Sequence, residues 1–424
     1  MDSKTTQDIP KPRLRCVDRQ DTVLRLMKID DLIDDEHLAR TVWAFVETMD
    51  FTTLYAQVKA IEGKPGSPAI DFKILTAILL YAKLDGEISA RRIADYCKAY
   101  NPYIWLCGGV NINHHSLSDF ETGHAEWLEE QFVSHLTSMM TQGFVHMERV
   151  AQDGMRVRAN AGAASFRRKE TLEECLEQAQ AYQAQLQRER QDDVQVQNKR
   201  KQAAQERAAR ERIERIQAAI AQVPEVEAKK KEKDRKKARV STTDPDARVM
   251  KMADGGYRSA LNAQFASDPS SQIIIGFDVI NEGSDQNQLS PMLEQIHEHT
   301  GQYPDEALVD GGFINKKEVE HCATKGITVY GPVSKPKDES RDPHQPLAGD
   351  SQAVADWRKR MGTDEAKEIY KYRAATAECV NAIARNRGLR QFTVRGLKKV
   401  KASLLWFVFA HNLMREAVLR PVAA

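Results

Sequence analysis

The chain has 424 residues, and its 62 Lys and Arg residues almost balance its 61 Asp and Glu residues, which leaves a formal charge of +1. At roughly 100–200 residues per domain, this length predicts two to four domains with sizeable cores. The longest mainly apolar runs, 74–82 and 402–410, are shorter than the ~20 residues of a membrane-spanning helix. The first residues lack an apolar segment, and the six cysteines form no Cys-x-x-Cys pair. We therefore expect a cytoplasmic protein with no membrane partner, no zinc ribbon and no thioredoxin-like motif.

A short tail and a helical domain are predicted before residue 146. Residues 1–24 are polar and interrupted by prolines, which is typical of a flexible N-terminus. Apolar residues then recur at helical spacing in four segments, which are 38–46, 72–84, 90–96 and 127–140. Because no convincing strand pattern accompanies them, residues 25–145 are predicted to form a helical domain.

The period changes to that of a strand at 148–161. Every second residue from Ala151 to Ala159 is apolar except Asp153, which therefore lies on the apolar face. A buried carboxylate is costly unless it is paired or binds a cation, so Asp153 is a candidate functional residue. An ion pair with Arg156 or Arg158 is an equally good explanation from the residues alone.

A charged insertion follows the strand at 165–239. It contains no glycine, and its apolar residues are spaced for a helical hairpin or short coiled coil. It ends in KKKEKDRKKAR, 229–239, which is either a solvated helix end or a DNA contact.

Short strands and helices alternate after the insertion. Strands are predicted at 248–252, 273–280, 307–309 and 327–331, and helices at 291–299, 316–325, 364–386 and 398–420. In the helix 364–386, residues 369, 372, 376, 380 and 383 form one stripe facing the core. Residues 146–164 and 240–424 are therefore predicted to form one domain, in which helices cover a mixed sheet.

Two further acids and a basic run stand out in this domain. Asp310 ends an apolar run and precedes Gly311–Gly312, a position that suits either a ligand site or an ordinary turn. Glu378 shares one helix side with Lys371 and Arg385, although an isolated helical Glu is most often only solvated. The residues from 385 to 401 include seven basic residues and no acid, which predicts an anionic partner despite the neutral total.

Several motifs in order give the chain a family resemblance. They are LYAKLDGEISARRIADYC (80–97), YIWLCGG (103–109), HHSLSDFETGH (114–124), AQDGMRVRANA (151–161), TTDPDARVMK (242–251), ALVDGGF (307–313) and YKYRAATAECVNAIARNRGLRQFTVRGLKKV (370–400). The chain resembles bacterial insertion-sequence transposases of the Asp-Asp-Glu class. This resemblance implies a helical N-terminal domain that binds DNA ends, and an RNase H-like mixed-sheet domain with helices on both faces and a long helical insertion.

The resemblance also implies the site residues. Asp153, Asp310 and Glu378 would be the catalytic triad and would hold Mg²⁺ or Mn²⁺, hard ions that prefer carboxylate oxygens. The family's Pro-Val-Phe-Gly run after the Glu is replaced by 379–382, Cys-Val-Asn-Ala, so Glu368 and Glu365 remain alternatives. The resemblance implies that Tyr370, Arg373 and Arg385 contact DNA, although each could equally be an ordinary surface residue. The basic run adds the candidate DNA-binding residues Arg387, Arg390, Arg395, Lys398 and Lys399.

The implied function is metal-dependent transposition. Water would cleave the phosphodiester at the element's end and free a 3′-OH, which would then attack target DNA. Partners would be terminal inverted repeats, target DNA and further copies of the chain in a homodimer or higher oligomer, at the bacterial nucleoid. Two alternatives stay open, namely a metal-dependent nuclease that does not join strands and a catalytically silent DNA-binding derivative.

Overall fold

The structure, a computed structural model, describes residues 26–60, 68–192, 199–336 and 340–420. The predicted flexible N-terminus, 1–24, lies outside these residues. A helical N-terminal region precedes a mixed sheet covered by helices, which confirms the predicted fold class. None of the helices in the described ranges is long and apolar enough to cross a membrane.

Short helices form the part that precedes the sheet. The α-helices are α1 (Leu38–Glu47), α2 (Thr52–Tyr55), α3 (Phe72–Asp85), α4 (Ala90–Ala99), α5 (Asn101–Cys107), α6 (His114–Gly123) and α7 (Ala125–Thr141). Their ends follow local chemistry. The Asp71 side chain accepts a hydrogen bond from the Lys73 N–H at the start of α3, and Gly86 ends that helix with φ 81°. The four segments with helical spacing thus correspond to α1, α3, α4 and α7.

The main sheet is built around its first strand. The strands of the chain are β1 (Arg149–Arg158), β2 (Phe166–Arg167), β3 (Val240–Ser241), β4 (Arg248–Lys251), β5 (Tyr257–Ser267), β6 (Ile274–Ile280), β7 (Glu306–Leu308) and β8 (Thr328–Tyr330). On one side of β1, β5 runs antiparallel and pairs in turn with β4 and β6. On the other side, β7 and then β8 run parallel. β1 is therefore the centre of a mixed sheet, whereas β2 and β3 form a separate pair.

The longest strand, β5, is absent from the sequence-based prediction. Apolar residues alternate with Asn262 and Gln264 along 261–265, as in a half-exposed strand, yet both polar side chains are almost fully buried. Their side-chain amides each donate a hydrogen bond of 2.7 Å to Asp285 Oδ1. A partner distant in sequence thus makes the polar face of this strand stable, and no local pattern reveals it.

The helices after β1 are α8 (Lys169–Asp192), α9 (Lys199–Ala228), α10 (Leu289–Thr300), α11 (Lys316–Thr324), α12 (Gln352–Met361), α13 (Asp364–Arg373), α14 (Cys379–Asn386) and α15 (Leu397–Leu419). α8 and α9 pack together as a hairpin through Ala179, Ile213 and Ile216. α12 is a further helix that the sequence analysis did not predict.

The predicted continuous helix 364–386 is interrupted by a π-helical turn, Ala374–Glu378. A π turn inserts one residue, so the parts before and after it are rotated relative to each other. The predicted stripe consequently fails at Tyr372, which is 54% exposed, while Thr376 and Val380 are buried.

α15 connects the helical region to the sheet. The Asn412 side chain exchanges two hydrogen bonds of 2.8 Å with the backbone of Ile274 on β6. At the other end, Ser403 Oγ donates to Glu121 Oε1, which also accepts from Lys83 Nζ, both at 2.8 Å. Because these groups are buried, the helical region and the sheet share one continuous core.

Candidate active site

Asp153 lies within β1, and Asp310 lies two residues beyond the end of the neighbouring parallel strand β7. Ala151 of β1 is paired with Leu308, the last residue of β7, so each aspartate follows this pair by two residues. Asp310 turns the chain at this edge, because its Oδ1 accepts a hydrogen bond of 2.7 Å from the Gly312 N–H. The carboxyl ends of parallel strands are where ligands bind in such sheets.

The π turn brings Glu378 to the same place. In an α-helix, residues five apart are separated by about 140° around the axis, whereas a π turn places them nearly on one side. Arg373 and Glu378 are five apart across this turn, and Arg373 Nη1 lies 3.8 Å from Glu378 Oε1. The interruption of the helix therefore directs both side chains toward the aspartates.

The guanidinium of Arg373 lies between the three acids. Its Nη2 is 3.5 Å from Asp153 Oδ1 and 3.7 Å from Asp310 Oδ2, in addition to the Glu378 contact through Nη1. The side chains of Arg373 and Asp153 are only 12% and 16% exposed, whereas those of Asp310 and Glu378 are 40% and 65% exposed. The site thus has a buried end at Asp153 and an open end at Glu378.

The donor set suits a hard divalent cation, but only after Arg373 moves. Carboxylate oxygens are the ligands that Mg²⁺ and Mn²⁺ prefer, and a cationic group already stands among these three. In the described part of the chain, no group of three His, Cys, Asp or Glu side chains is placed to hold a metal ion. Arg373 therefore acts as a stand-in cation between the carboxylates.

Asp153 is held by hydrogen bonds to both of its oxygens. Oδ1 accepts from the Gly154 N–H and Oδ2 from Asn381 Nδ2, each at 2.9 Å. Burial raises the pKa of Asp153 above its ordinary value, the Arg373 charge and the Gly154 N–H oppose this effect, and the Asp310 charge adds to it. Asn381 belongs to the segment that departs from the family's run, so this departure supplies a partner for Asp153.

Asp285 is a neighbouring acid that the sequence analysis missed. Besides the amides of β5, its Oδ2 lies 3.4 Å from Arg156 Nη2. A Cβ added to Gly154 would come within 2.2 Å of Asp285 Oδ1, so only glycine fits next to Asp153. The charge of Asp285 also contributes to raising the pKa of Asp153. Its loop position after β6 carries no pattern that would have identified it.

The alternative acids for the third position lie outside this cluster. Glu368 is paired with Lys371 at 2.6 Å, and both side chains are about 70% exposed. Glu365 is exposed near the start of α13. Glu378 is therefore the one of the three candidate glutamates that contacts Arg373.

The remaining predicted residues are spread over a wider surface. Tyr370 packs beside the cluster, and burial raises its pKa. Arg387 is half-buried, which lowers its pKa, and its Nη1 has no hydrogen-bond partner. The other residues are exposed and are Arg385, Arg390, Arg395, Lys398 and Lys399. The structure therefore brings Arg373 and Tyr370 to the acids and leaves the basic residues after 385 along a separate surface.

Two family models match parts of the chain. One, described as Transposase domain (DUF772), matches residues 27–123, and the other, described as Transposase DDE domain, matches 341–417. Both matches support an insertion-sequence transposase of the Asp-Asp-Glu class. The second match includes Arg373 and Glu378 of this transposase, while the two aspartates lie outside both matches. No curated protein and no solved structure matches the transposase. Enzymes of this class act on DNA and generally use divalent metal ions.

Proposed function

We propose that this transposase cuts DNA at the terminal inverted repeats of its own element and joins the freed ends to target DNA. The observation that carries the proposal is the convergence of Asp153, Asp310 and Glu378 from three separate elements on one buried guanidinium. Carboxylates that converge from separate elements repel one another unless a cation lies between them, and a buried charge requires a partner. Such a cluster is therefore a candidate site for a metal cation.

In this proposal the three acids hold Mg²⁺ or Mn²⁺. When bound, such ions activate the attacking oxygen and stabilise the leaving oxygen of a phosphodiester. The chain's own contribution is positional. Gly154 N–H and Asn381 fix the carboxylate of Asp153, and the Gly312 N–H fixes that of Asp310. Arg373 balances the acids until the site is loaded and is then free to contact the DNA backbone.

The helical domain, 25–145, is proposed to recognise the element ends, and the basic residues from 385 to 399 to contact the DNA backbone. Positive side chains bind phosphates largely without regard to sequence, so these residues would position the duplex rather than select it. Two copies of the chain are proposed to pair the two ends in a homodimer or a larger assembly.

The test uses duplex DNA that carries the element's own ends, with Mg²⁺ or Mn²⁺. We expect nicking and strand transfer by the wild type and loss of both in Asp153→Asn and Asp310→Asn, with DNA binding retained. Asp364→Asn is the matched control, because Asp364 is an exposed acid paired with Lys367 away from the cluster.

Each other outcome has a defined meaning. Cleaved ends without joined strands would identify a nuclease, and DNA binding that is indifferent to metal and to the aspartates would identify a silent derivative. Full activity in Glu378→Gln together with inactivity in Glu368→Gln would identify Glu368, and not Glu378, as the third acid.

A further inference from the structure

A small cationic cleft lies where the α8–α9 hairpin meets the segment before α15. It has a volume of about 280 Å³, and its lining residues are Cys175, Arg212, Arg215, Ile216, Thr242, Thr243 and Arg395. We call this site the hairpin cleft. Three of its lining residues are arginines and none is acidic, whereas the adjoining larger cleft includes four carboxylates, Asp119, Glu211, Glu214 and Asp246. Positive charge is therefore concentrated in the smaller of the two.

The walls of the hairpin cleft are fixed before any ligand arrives. Arg395 Nε donates to the Asn160 carbonyl at 3.1 Å, and the Asn160 side chain donates to the Thr393 carbonyl at 2.6 Å. The backbone N–H of Leu397 donates to Asp246 Oδ2 at 2.9 Å. On the opposite wall, Ile216 is buried in the core of the hairpin. A preformed site loses little conformational entropy when it binds.

The arginines retain unused hydrogen-bonding capacity. Arg215 Nε is buried and has no hydrogen-bond partner among the described residues, and its Nη1 lies 3.7 Å from the half-exposed Glu211 carboxylate, too far for a hydrogen bond. Arg212 is exposed at the rim. Planar guanidinium groups match the oxygens of phosphate, and Thr242 and Thr243 add hydroxyl groups beside them.

We infer that the hairpin cleft binds a backbone phosphate of duplex DNA, which gives the helical insertion a role in holding the DNA. This inference rests on the proposed function, since it assumes that DNA also reaches the acids. Asn160, which fixes Arg395, follows Asp153 by seven residues, or about 23 Å of extended chain. At 3.4 Å per base pair this equals about 7 base pairs.

A second acid-free cleft supports a continuous path between these points. Its lining residues include Gly154, Arg156, Lys251 and Arg385, so it reaches the strand that carries Asp153. Arg390 lies further along, where its backbone carbonyl accepts a hydrogen bond from the Arg158 N–H. A duplex along this edge would meet Arg385 and Arg390 before the hairpin cleft, and would pass the carboxylates of the adjoining larger cleft.

The experiment measures the binding of a fluorescein-labelled 40-base-pair duplex of arbitrary sequence by anisotropy between 50 and 200 mM NaCl, without metal. We expect Arg212→Gln/Arg215→Gln to reduce the salt slope by about 0.9 and the affinity about 8-fold at 0.1 M salt, which corresponds to the loss of one phosphate contact. Arg210→Gln is the control, because Arg210 is exposed on α9 and lies about 200° around the helix from Arg212. Circular dichroism melting checks that the variants fold.

The outcomes separate this inference from the proposed function. An unchanged slope in the double variant, or an equal loss in Arg210→Gln, would overturn it even if element ends are still cleaved. Competition by inorganic phosphate at millimolar concentration with no difference in duplex binding would show a free-anion site instead. A wild type that binds no duplex would overturn both proposals, whereas selective loss in the double variant supports the cleft whether or not joining is observed.

Discussion

Arg373→Gln should destabilise the metal-free transposase, because it removes the cation shared by three carboxylates. Removal of one partner from a buried ion pair typically costs about 3–5 kcal/mol. Only the Asp153 end of this cluster is buried, so we expect a smaller loss of about 2–3 kcal/mol. At roughly 2–4 °C per kcal/mol, the Tm should fall by about 4–12 °C.

The same substitution should strengthen metal binding. With the guanidinium gone, a divalent ion no longer competes with an internal cation for Asp153, Asp310 and Glu378. An ion at 100 times its Kd stabilises the folded state by about 2.7 kcal/mol, which would restore most of the lost stability. The wild type should show a smaller shift at the same concentration.

Thermal unfolding across a Mn²⁺ titration measures both effects, and the paramagnetic signal of free Mn²⁺ gives the affinity independently. Arg385→Gln is the matched control, since Arg385 is exposed on α14 and makes no ion pair with these acids. If Arg373→Gln leaves the metal-free Tm unchanged, or if its Mn²⁺-induced shift equals that of the wild type, the guanidinium does not stand in for the metal.

Three further predictions concern stability. Gly154→Ala should cost about 1–3 kcal/mol in chemical denaturation, because its Cβ would overlap Asp285, and an unchanged midpoint would contradict this packing. Lys83→Met should cost about 3–5 kcal/mol by leaving the Glu121 carboxylate buried without its cation, and adding Glu121→Gln should recover part of the loss if that charge is the cause. Burial lowers the pKa of His411 from 6.5 to about 4, so the unfolded chain takes up the proton first. The folded state should therefore lose about 3 kcal/mol between pH 7 and pH 4, and His411→Gln should flatten this part of the profile.

Local patterns predicted the elements whose stability is local. The helices α1, α3, α4 and α7 carry apolar residues at helical spacing, and β1 alternates. β5 also alternates over 261–265 and was overlooked; what the pattern does not reveal is that its polar side chains are buried, because their partner lies in a loop about 20 residues away. α12 was also within reach of the sequence, because its buried residues Val354, Trp357 and Met361 recur at helical spacing.

The sequence named the three acids of the candidate site, but it did not predict how they are arranged in space. The strand pattern and the glycines after Asp310 identified two of them, and the resemblance supplied Glu378. The π turn that rotates Arg373 toward all three has no sequence signature, because the segment Ala374–Glu378 suits an ordinary α-helix. Asn381 and Asp285 are likewise recognised only from the structure, in which Asn381 donates a hydrogen bond to Asp153 and Asp285 lies close to it.

The shared core around α15 bears on the number of base pairs between the recognised DNA sequence and the cleaved bond. This helix is buried against both the N-terminal helices and β6. The surface that would bind an element end is therefore held at a fixed distance from the acids that would cleave the DNA. An insertion of a single base pair between the recognised sequence and the cleaved bond would shift that bond by about 3.4 Å and turn it by roughly 35°. Because the two parts share this core, we expect the spacing itself to become part of the recognised sequence.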